Sequence, residues 1–374
     1  MRKYRILLVG LGKLGSQIFD LLVRLPGNHA FLAGGRDVEH LRQRTHLSLF
    51  AAMQLGHMPD VACTYMDVWN IEQTAEIIAR CQPDLIVCAA TLARWGTTPT
   101  LPQTVGDRLT AAQMGPRLPL HLTLVYKLMQ AVRATGHPIT VINAIYPDVV
   151  NPVLAQVGLA PLTGIGDLAN NVPAVRKSIA VKLHRPIEHV DVRLVMARYI
   201  SYWMSRKSVE NTPFYYTALV HGKDVTHLLE RETIFDLLPT TLKRPGGETG
   251  LMMTAASAAS VVNGIVNNTE TMTHAPGPNG LPGGYPIKVG REGIEIVLPQ
   301  NLSREEAIQI NEAGLRLDGI EKIEHDGTVS FTEENMAILK DTLGYDCRRM
   351  PLADVEEQAR ELRIKYLACA NKYQ

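Results

Sequence analysis

A short apolar run that ends in glycine and opens onto a glycine-patterned turn constrains this chain more than any other feature. Residues 5–10, RILLVG, read as a fully buried strand. Gly10-Leu11-Gly12-Lys13-Leu14-Gly15 follows with the spacing GxGxxG. Beyond it Ile18, Leu21, Leu22 and Leu25 form a helical stripe that stops at Pro26-Gly27. By itself the glycine pattern is weakly specific; between a strand and a helix it has a mechanism. The first glycine permits the tight turn, the second lets backbone approach a pyrophosphate, and the third lets helix and strand pack closely. The helix N-terminus then offers free N–H groups and partial positive charge to the phosphates. A dinucleotide is the expected ligand, held by Gly10, Gly12, Lys13, Leu14 and Gly15.

The pattern continues as strand and helix in alternation. Strands are expected at 29–33, 61–68 (VACTYMDV) and 84–90 (DLIVCAA), with helices at 38–55 and 71–81 between them. A helix over 118–134 leads to a further strand, ITVINA, at 139–144. Short apolar strands alternating with helices imply a right-handed, doubly wound parallel sheet. The expected fold class is therefore α/β: a Rossmann domain over 1–150, followed by an α+β substrate and oligomerisation domain over 151–374.

In the second half, helices are expected at 170–183 and 250–267. A strand is expected over 188–203 (EHVDVRLVMARYISYW), and a strand, turn and strand over 214–225. The tract 274–286 reads as a Gly/Pro-rich loop, 294–299 as a strand, and 332–374 as two helices. Ser303 and Glu306 form a capping box at the start of a helix over 303–317. The segment 91–117 is rich in Thr, Pro, Gly and Arg, lacks periodicity, and reads as a functional loop.

Twenty residues past Gly15 an NAD enzyme usually carries an acid for the ribose hydroxyls. Here Gly35 and Arg36 stand there, which suits a 2′-phosphate and so NADP, with NAD as the alternative if Asp37 takes the position. Ala89, Ala90 and Thr91, ending the fourth strand, are expected to border the coenzyme. The 38 basic and 37 acidic side chains nearly cancel, giving a net charge of +1 and no electrostatic reason to expect nucleic acid or an anionic membrane. No apolar run reads as approaching the roughly 20 residues of a membrane span. Five scattered cysteines without CxxC spacing argue against disulfides or zinc and for a reducing cytoplasm.

Several segments together resemble the lactate/malate dehydrogenase family: CAATLARW (88–95), INAIYPDVVNPVL (142–154), GIGDLANNVPAVRKSIA (164–180) and GGYPIKVGREGIEIVLPQNLSREEAIQINEAGLRL (283–317). The resemblance covers most of residues 4–320. The run from 67 to 87, with Gly34-Gly35-Arg36, is also similar to the N-terminal domain of saccharopine dehydrogenase-type enzymes. The first resemblance implies hydride transfer to or from a small carboxylated carbonyl, hydroxy or amino compound, in a homo-oligomer (dimer or tetramer). It would give Asn143 contact with the substrate oxygen and the nicotinamide, Arg94 and Arg108 the loop arginines' role, and Arg176 that of the carboxylate-binding arginine. The family's catalytic histidine has no counterpart, because Tyr199-Ile200-Ser201-Tyr202-Trp203-Met204 occupies its place. Asn171 or Pro173 stands where the family's aspartate would be.

Proton transfer could then fall to Tyr202, His221, His184, His189 or Lys177, each of which also reads as a packing or surface residue. Arg117 joins Arg94 and Arg108 as a candidate for an acidic substrate or the coenzyme phosphates. Ile338, Leu339, Leu343, Leu362 and Tyr366 are expected to offer apolar surface to a second copy. A saccharopine- or opine-type imine reductase and a non-catalytic dinucleotide sensor are the competing readings.

Overall fold

The computed structural model describes residues 3–93, 101–206, 209 and 211–373. The chain opens as an alternation: β1 (Arg5–Val9), α1 (Lys13–Leu22), β2 (Ala30–Gly35), α2 (Val38–Gln54), β3 (Asp60–Tyr65), α3 (Ile71–Cys81) and β4 (Leu85–Cys88). Then come α4 (Gln103–Ala111), α5 (Leu118–Ala134), β5 (Thr140–Asn143), α6 (Pro147–Ala155) and β6 (Thr163–Gly164). All six strands pair in parallel in the order β3-β2-β1-β4-β5-β6. This is the Rossmann order, with the direction of winding reversing between β1 and β4. Strand β1 is apolar throughout because both its faces are covered. Leu7 and Val9 join one core with α5 and α6, and Ile6 and Leu8 join another with α1.

The second half comprises α7 (Val172–Lys182), β7 (Val190–Met196), α8 (Arg198–Trp203), β8 (Phe214–Val220), β9 (Lys223–Asp224), α9 (Gly247–Asn267), β10 (Thr271–Pro276), β11 (Gly284–Gly290), β12 (Gly293–Ile296) and α10 (Arg304–Leu317). It ends with β13 (Ile320–Ile323), β14 (Val329–Phe331), α11 (Glu333–Leu343), β15 (Arg349–Met350) and α12 (Val355–Asn371). Strands β10-β11-β7-β8-β9 form an antiparallel sheet with β12 on β11, and β13-β14-β15 form a small third sheet. Contrary to expectation, one helix, α9, is long and apolar enough to cross a membrane. In this fold it packs along α1, burying Ala255, Ala258, Val261 and Val262.

Several boundaries differ from expectation. The nucleotide sheet continues to Gly164, so a domain boundary at 150 would cut α6. The strand expected over 188–203 stops at Met196, and Arg198 starts a helix. The cause is tertiary: the buried Asp148 Oδ1 accepts the Arg198 backbone N–H at 2.8 Å, which turns a strand-prone stretch into α8. Part of the loop expected over 91–117 is helix α4. The 274–286 tract is not a free loop: β10 and β11 pair through it as far as Pro276 and Gly284. Leu339, Leu343 and Leu362 are buried inside the subunit and offer nothing to a partner.

Candidate functional site

The turn after β1 is built so that only glycine fits at two of its positions. Gly10 has φ +95°, and a Cβ there would lie 2.8 Å from the Ala90 nitrogen. A Cβ at Gly15 would lie 1.9 Å from the Gly10 carbonyl oxygen, so this glycine sets how closely α1 approaches the turn. Gly12, the residue before α1, is different: a Cβ on it would meet nothing within 4 Å. It faces an open cleft lined also by Lys13, Leu14, Gly35, Arg36, Ala89, Ala90 and Thr91. A phosphate fits there, beside the free N–H groups of α1.

At the rim of this cleft Asp37 Oδ1 accepts the His40 backbone N–H at 3.0 Å, capping α2. Arg36 also lines the cleft and takes part in none of the ion pairs of the described residues. Lys13 is ion-paired with Glu248 at the start of α9.

Leu14, Thr91 and Ile145 belong both to this cleft and to a second cavity of about 460 Å³. Asp167, Asn170, Arg198, Tyr202, Arg206 and Arg244 line that cavity. A third space of about 470 Å³, reaching Arg117 and Arg363 under α12, shares Met114, His121, Arg198 and Tyr202 with it.

Beneath the cavity lies a charge cluster drawn from four separate regions of the chain. Arg198 Nη1 donates to both oxygens of Asp318, at 2.8 and 3.0 Å, and the Tyr146 hydroxyl donates to Asp318 Oδ2 at 2.8 Å. Burial works against the Arg198 charge, but Asp318, Asp167, Tyr146 and Asp148 together outweigh it and hold the guanidinium protonated. Asp148 is fully buried; its Oδ1 takes the Arg198 N–H, and its Oδ2 has no donor among the described residues. The carboxyl group of Asp167 lies within hydrogen-bonding reach of it. Burial raises the pKa of both carboxyl groups, and their proximity raises that of Asp148 further. Asp167 also holds a left-handed backbone, φ +45°, uncommon for a non-glycine residue and typical of constrained sites.

Burial and the charges of Arg117 and Arg198 push His121 down to about 3, so its ring is neutral. Its Nδ1 is 3.5 Å from Thr91 Oγ1. Arg117 donates from Nε to the Gln113 carbonyl at 3.1 Å and makes no ion pair with a carboxylate among the described residues. Arg244 donates to the Asn170 carbonyl and to Asn171 Oδ1 at 2.6 Å; burial and then Arg206 lower its pKa.

The residues singled out by sequence are distributed unevenly over this site. The glycines, Lys13, Leu14, Arg36, Ala89, Ala90 and Thr91 line the cleft, and Tyr202 lines the cavity with its ring 5.2 Å from Arg198 and 4.0 Å from Arg206. Asn143 does not reach the cavity. Its Nδ2 donates to the Ile145 carbonyl and to Asn151, its Oδ1 accepts the Ile145 N–H, and it holds the turn after β5. Arg176 likewise serves structure, bonding the Val190 carbonyl from α7, because its helix faces β7 rather than the cavity. Arg108 is an exposed surface residue 3.7 Å from Asp341. Arg94 lies outside the described residues. His221 is an exposed turn residue whose ring lies 4.2 Å from that of His189, tilted by 38°.

Asp148, Asp167, Arg198 and Asp318 carry no local sequence pattern that marks them as site residues. Only the segments carrying the first two gave a signal, as parts of the family resemblance.

No protein-family model matches the chain, and no curated protein matches it in sequence. Solved structures do match. The lactate dehydrogenase of Eimeria maxima with NADH and oxamate superposes with a TM-score of 0.55 at 13% identity, over 84% of this chain and 92% of that one. The Plasmodium falciparum malate dehydrogenase gives 0.54 at 13% identity, over 97% and 99%. The Aeropyrum pernix malate dehydrogenase gives 0.54 at 17%, over 83% and 96%. This chain has the lactate/malate dehydrogenase fold. At these identities the likeness is one of architecture: a parallel nucleotide-type sheet followed by an antiparallel sheet and helices.

Proposed function

We propose that this protein is an NAD(P)-dependent oxidoreductase acting on a small anionic carbonyl, hydroxy or amino compound. The observation that carries the reading is the junction at Leu14, Thr91 and Ile145, where the pyrophosphate cleft opens into a cavity with cationic walls. The bound dinucleotide supplies a hydride acceptor or donor at its nicotinamide end. The chain's own residues do the rest. Gly12 and the α1 N-terminus hold phosphate, while Arg206 and Arg244 place positive charge where a carboxylate would sit. Arg117, a cation without a carboxylate partner among the described residues, offers a second anchor at the far end. The matched lactate dehydrogenase, solved with NADH and oxamate, supports this substrate class.

Screening 2-hydroxy acids, 2-oxo acids and amino acids with each coenzyme tests the reading. Turnover of a carboxylated member is the expected result. Tight coenzyme binding with no turnover would favour a sensor, and turnover only with an amine and an oxo acid together would favour an imine reductase.

NADP is the proposed coenzyme. Arg36 is available at the cleft rim, and the neighbouring acid, Asp37, is engaged in capping α2. Arg36→Ser is expected to weaken NADPH binding about tenfold, ~1.4 kcal/mol, and to leave NADH unchanged, as read by fluorescence titration. Equal effects on both coenzymes would dismiss the 2′-phosphate contact.

The protein is further proposed to be a cytoplasmic homo-oligomer. Its five cysteines are unpaired, and Leu47, Phe50 and Met53 of α2 are exposed with Leu55 and Met58 just beyond. Phe50→Asp should then lower the mass seen by light scattering; an unchanged assembly would move the interface elsewhere.

A further inference from the structure

We propose that Asp167 carries the proton of the reaction and that Asp148, behind it, holds a proton shared by the two carboxyl groups. The pair would take the place of the histidine that the resembled family uses, and the assignment rests on the dehydrogenase reading above. Asp167 lines the cavity that opens from the dinucleotide cleft. Asp148 has no exposure, its Oδ2 has no hydrogen-bond partner among the described residues, and the Asp167 carboxyl lies within hydrogen-bonding reach. Asp148 is out of water and Asp167 is half-buried beside it, so ionising both is unfavourable and a single proton shared between them relieves the repulsion.

Their surroundings decide which keeps the charge. The guanidinium of Arg198 favours an anion at Asp167, whereas burial and Asp167 itself oppose one at Asp148. The other groups facing the pair leave this order intact. Asp318 is bonded by Arg198, and the hydroxyls of Tyr146 and Tyr285 are held neutral by burial. His121 is a poor substitute, since burial and two nearby guanidiniums keep its ring from accepting a proton near neutrality.

In the oxidative direction the substrate O–H or N–H bond breaks and its proton goes to the Asp167 carboxylate. The adjacent C–H bond breaks with it, and the electron pair and hydrogen leave to the oxidised coenzyme. In reduction the Asp167 carboxyl returns the proton to the oxygen or nitrogen as hydride reaches carbon. Asp148 keeps its proton throughout and donates it as a hydrogen bond to Asp167.

Infrared difference spectroscopy reads the shared proton without any substrate. The wild-type protein at neutral pH should show a buried carboxylic-acid band that shifts in D2O and vanishes in Asp148→Asn. Kinetics with the best substrate of the screen reads the role. Asp167→Asn should lower kcat by roughly 10²–10⁴-fold while coenzyme affinity stays unchanged. Asp148→Asn, whose amide imitates a protonated acid, should keep kcat within about tenfold of wild type and displace the pH profile. Absence of the band, its persistence in Asp148→Asn, or full activity of Asp167→Asn with intact coenzyme binding would each overturn the proposal. If the wild-type protein binds coenzyme but turns over nothing, the dehydrogenase reading fails and the catalytic role goes with it. The band then decides the proton pair separately.

Discussion

Gly12→Val should fold as the parent does and yet lose its dinucleotide. The Gly12 backbone is extended at φ −76°, which any residue adopts, and a Cβ there touches no protein atom within 4 Å. The thermal midpoint should therefore move by no more than about 2 °C. The added methyl groups, however, project into the cleft where a phosphate must come close to the α1 N–H groups. Calorimetry should show binding weakened by roughly 100-fold, ~2.7 kcal/mol. Gly15→Ala supplies the contrast. Its Cβ would sit 1.9 Å from the Gly10 carbonyl, so α1 must shift and stability itself should fall. A Gly12→Val protein that binds either coenzyme with parental affinity would remove the basis for a phosphate at this turn.

Arg198→Ala should be severely destabilising. It strips the counter-ion from Asp318, which has no exposure and keeps, among the described residues, only the Tyr146 hydroxyl and a longer 3.4 Å contact from the Met114 N–H. Breaking one side of such a buried pair costs about 3–5 kcal/mol, on the order of 10 °C in thermal midpoint for a chain of this size. Replacing both partners, Arg198→Met with Asp318→Leu, should cost less than the sum of the single changes, because no unpaired charge then remains. Additive losses in a thermal-melt cycle would show that the two side chains act independently. The same contact ties α8 to the end of α10, so its loss should also loosen the wall of the cavity.

The turn after β1 was legible because its constraints are local. Gly10, Gly12 and Gly15 lie within six positions; the positive φ of Gly10 and the approach of Gly15 to the Gly10 carbonyl are set inside that span, and the strand end at Ala89 and Ala90 adds to the first. The doubly wound sheet was legible for a related reason: strands covered on both faces, such as β1, must be apolar at every position. The six-strand order then follows from the handedness of the crossovers and the reversal after β3.

The cavity's chemistry was not legible in this way. Arg176 and Asn143 carried the right residue types in segments resembling a known family, yet both give their donors to backbone or to a neighbouring amide. Arg198 sat inside a stretch of β-branched and aromatic residues and became the first residue of a helix because Asp148, 50 positions earlier, accepts its N–H. Asp318, 120 residues on, then neutralises its side chain.

From sequence alone came the nucleotide-binding turn, the parallel sheet and the class of ligand, all set by steric and burial rules that act over a few neighbouring residues. Only the tertiary structure decided which acids and cations face one another. A buried charge is fixed by partners that can lie anywhere along the chain, and no local pattern records that pairing.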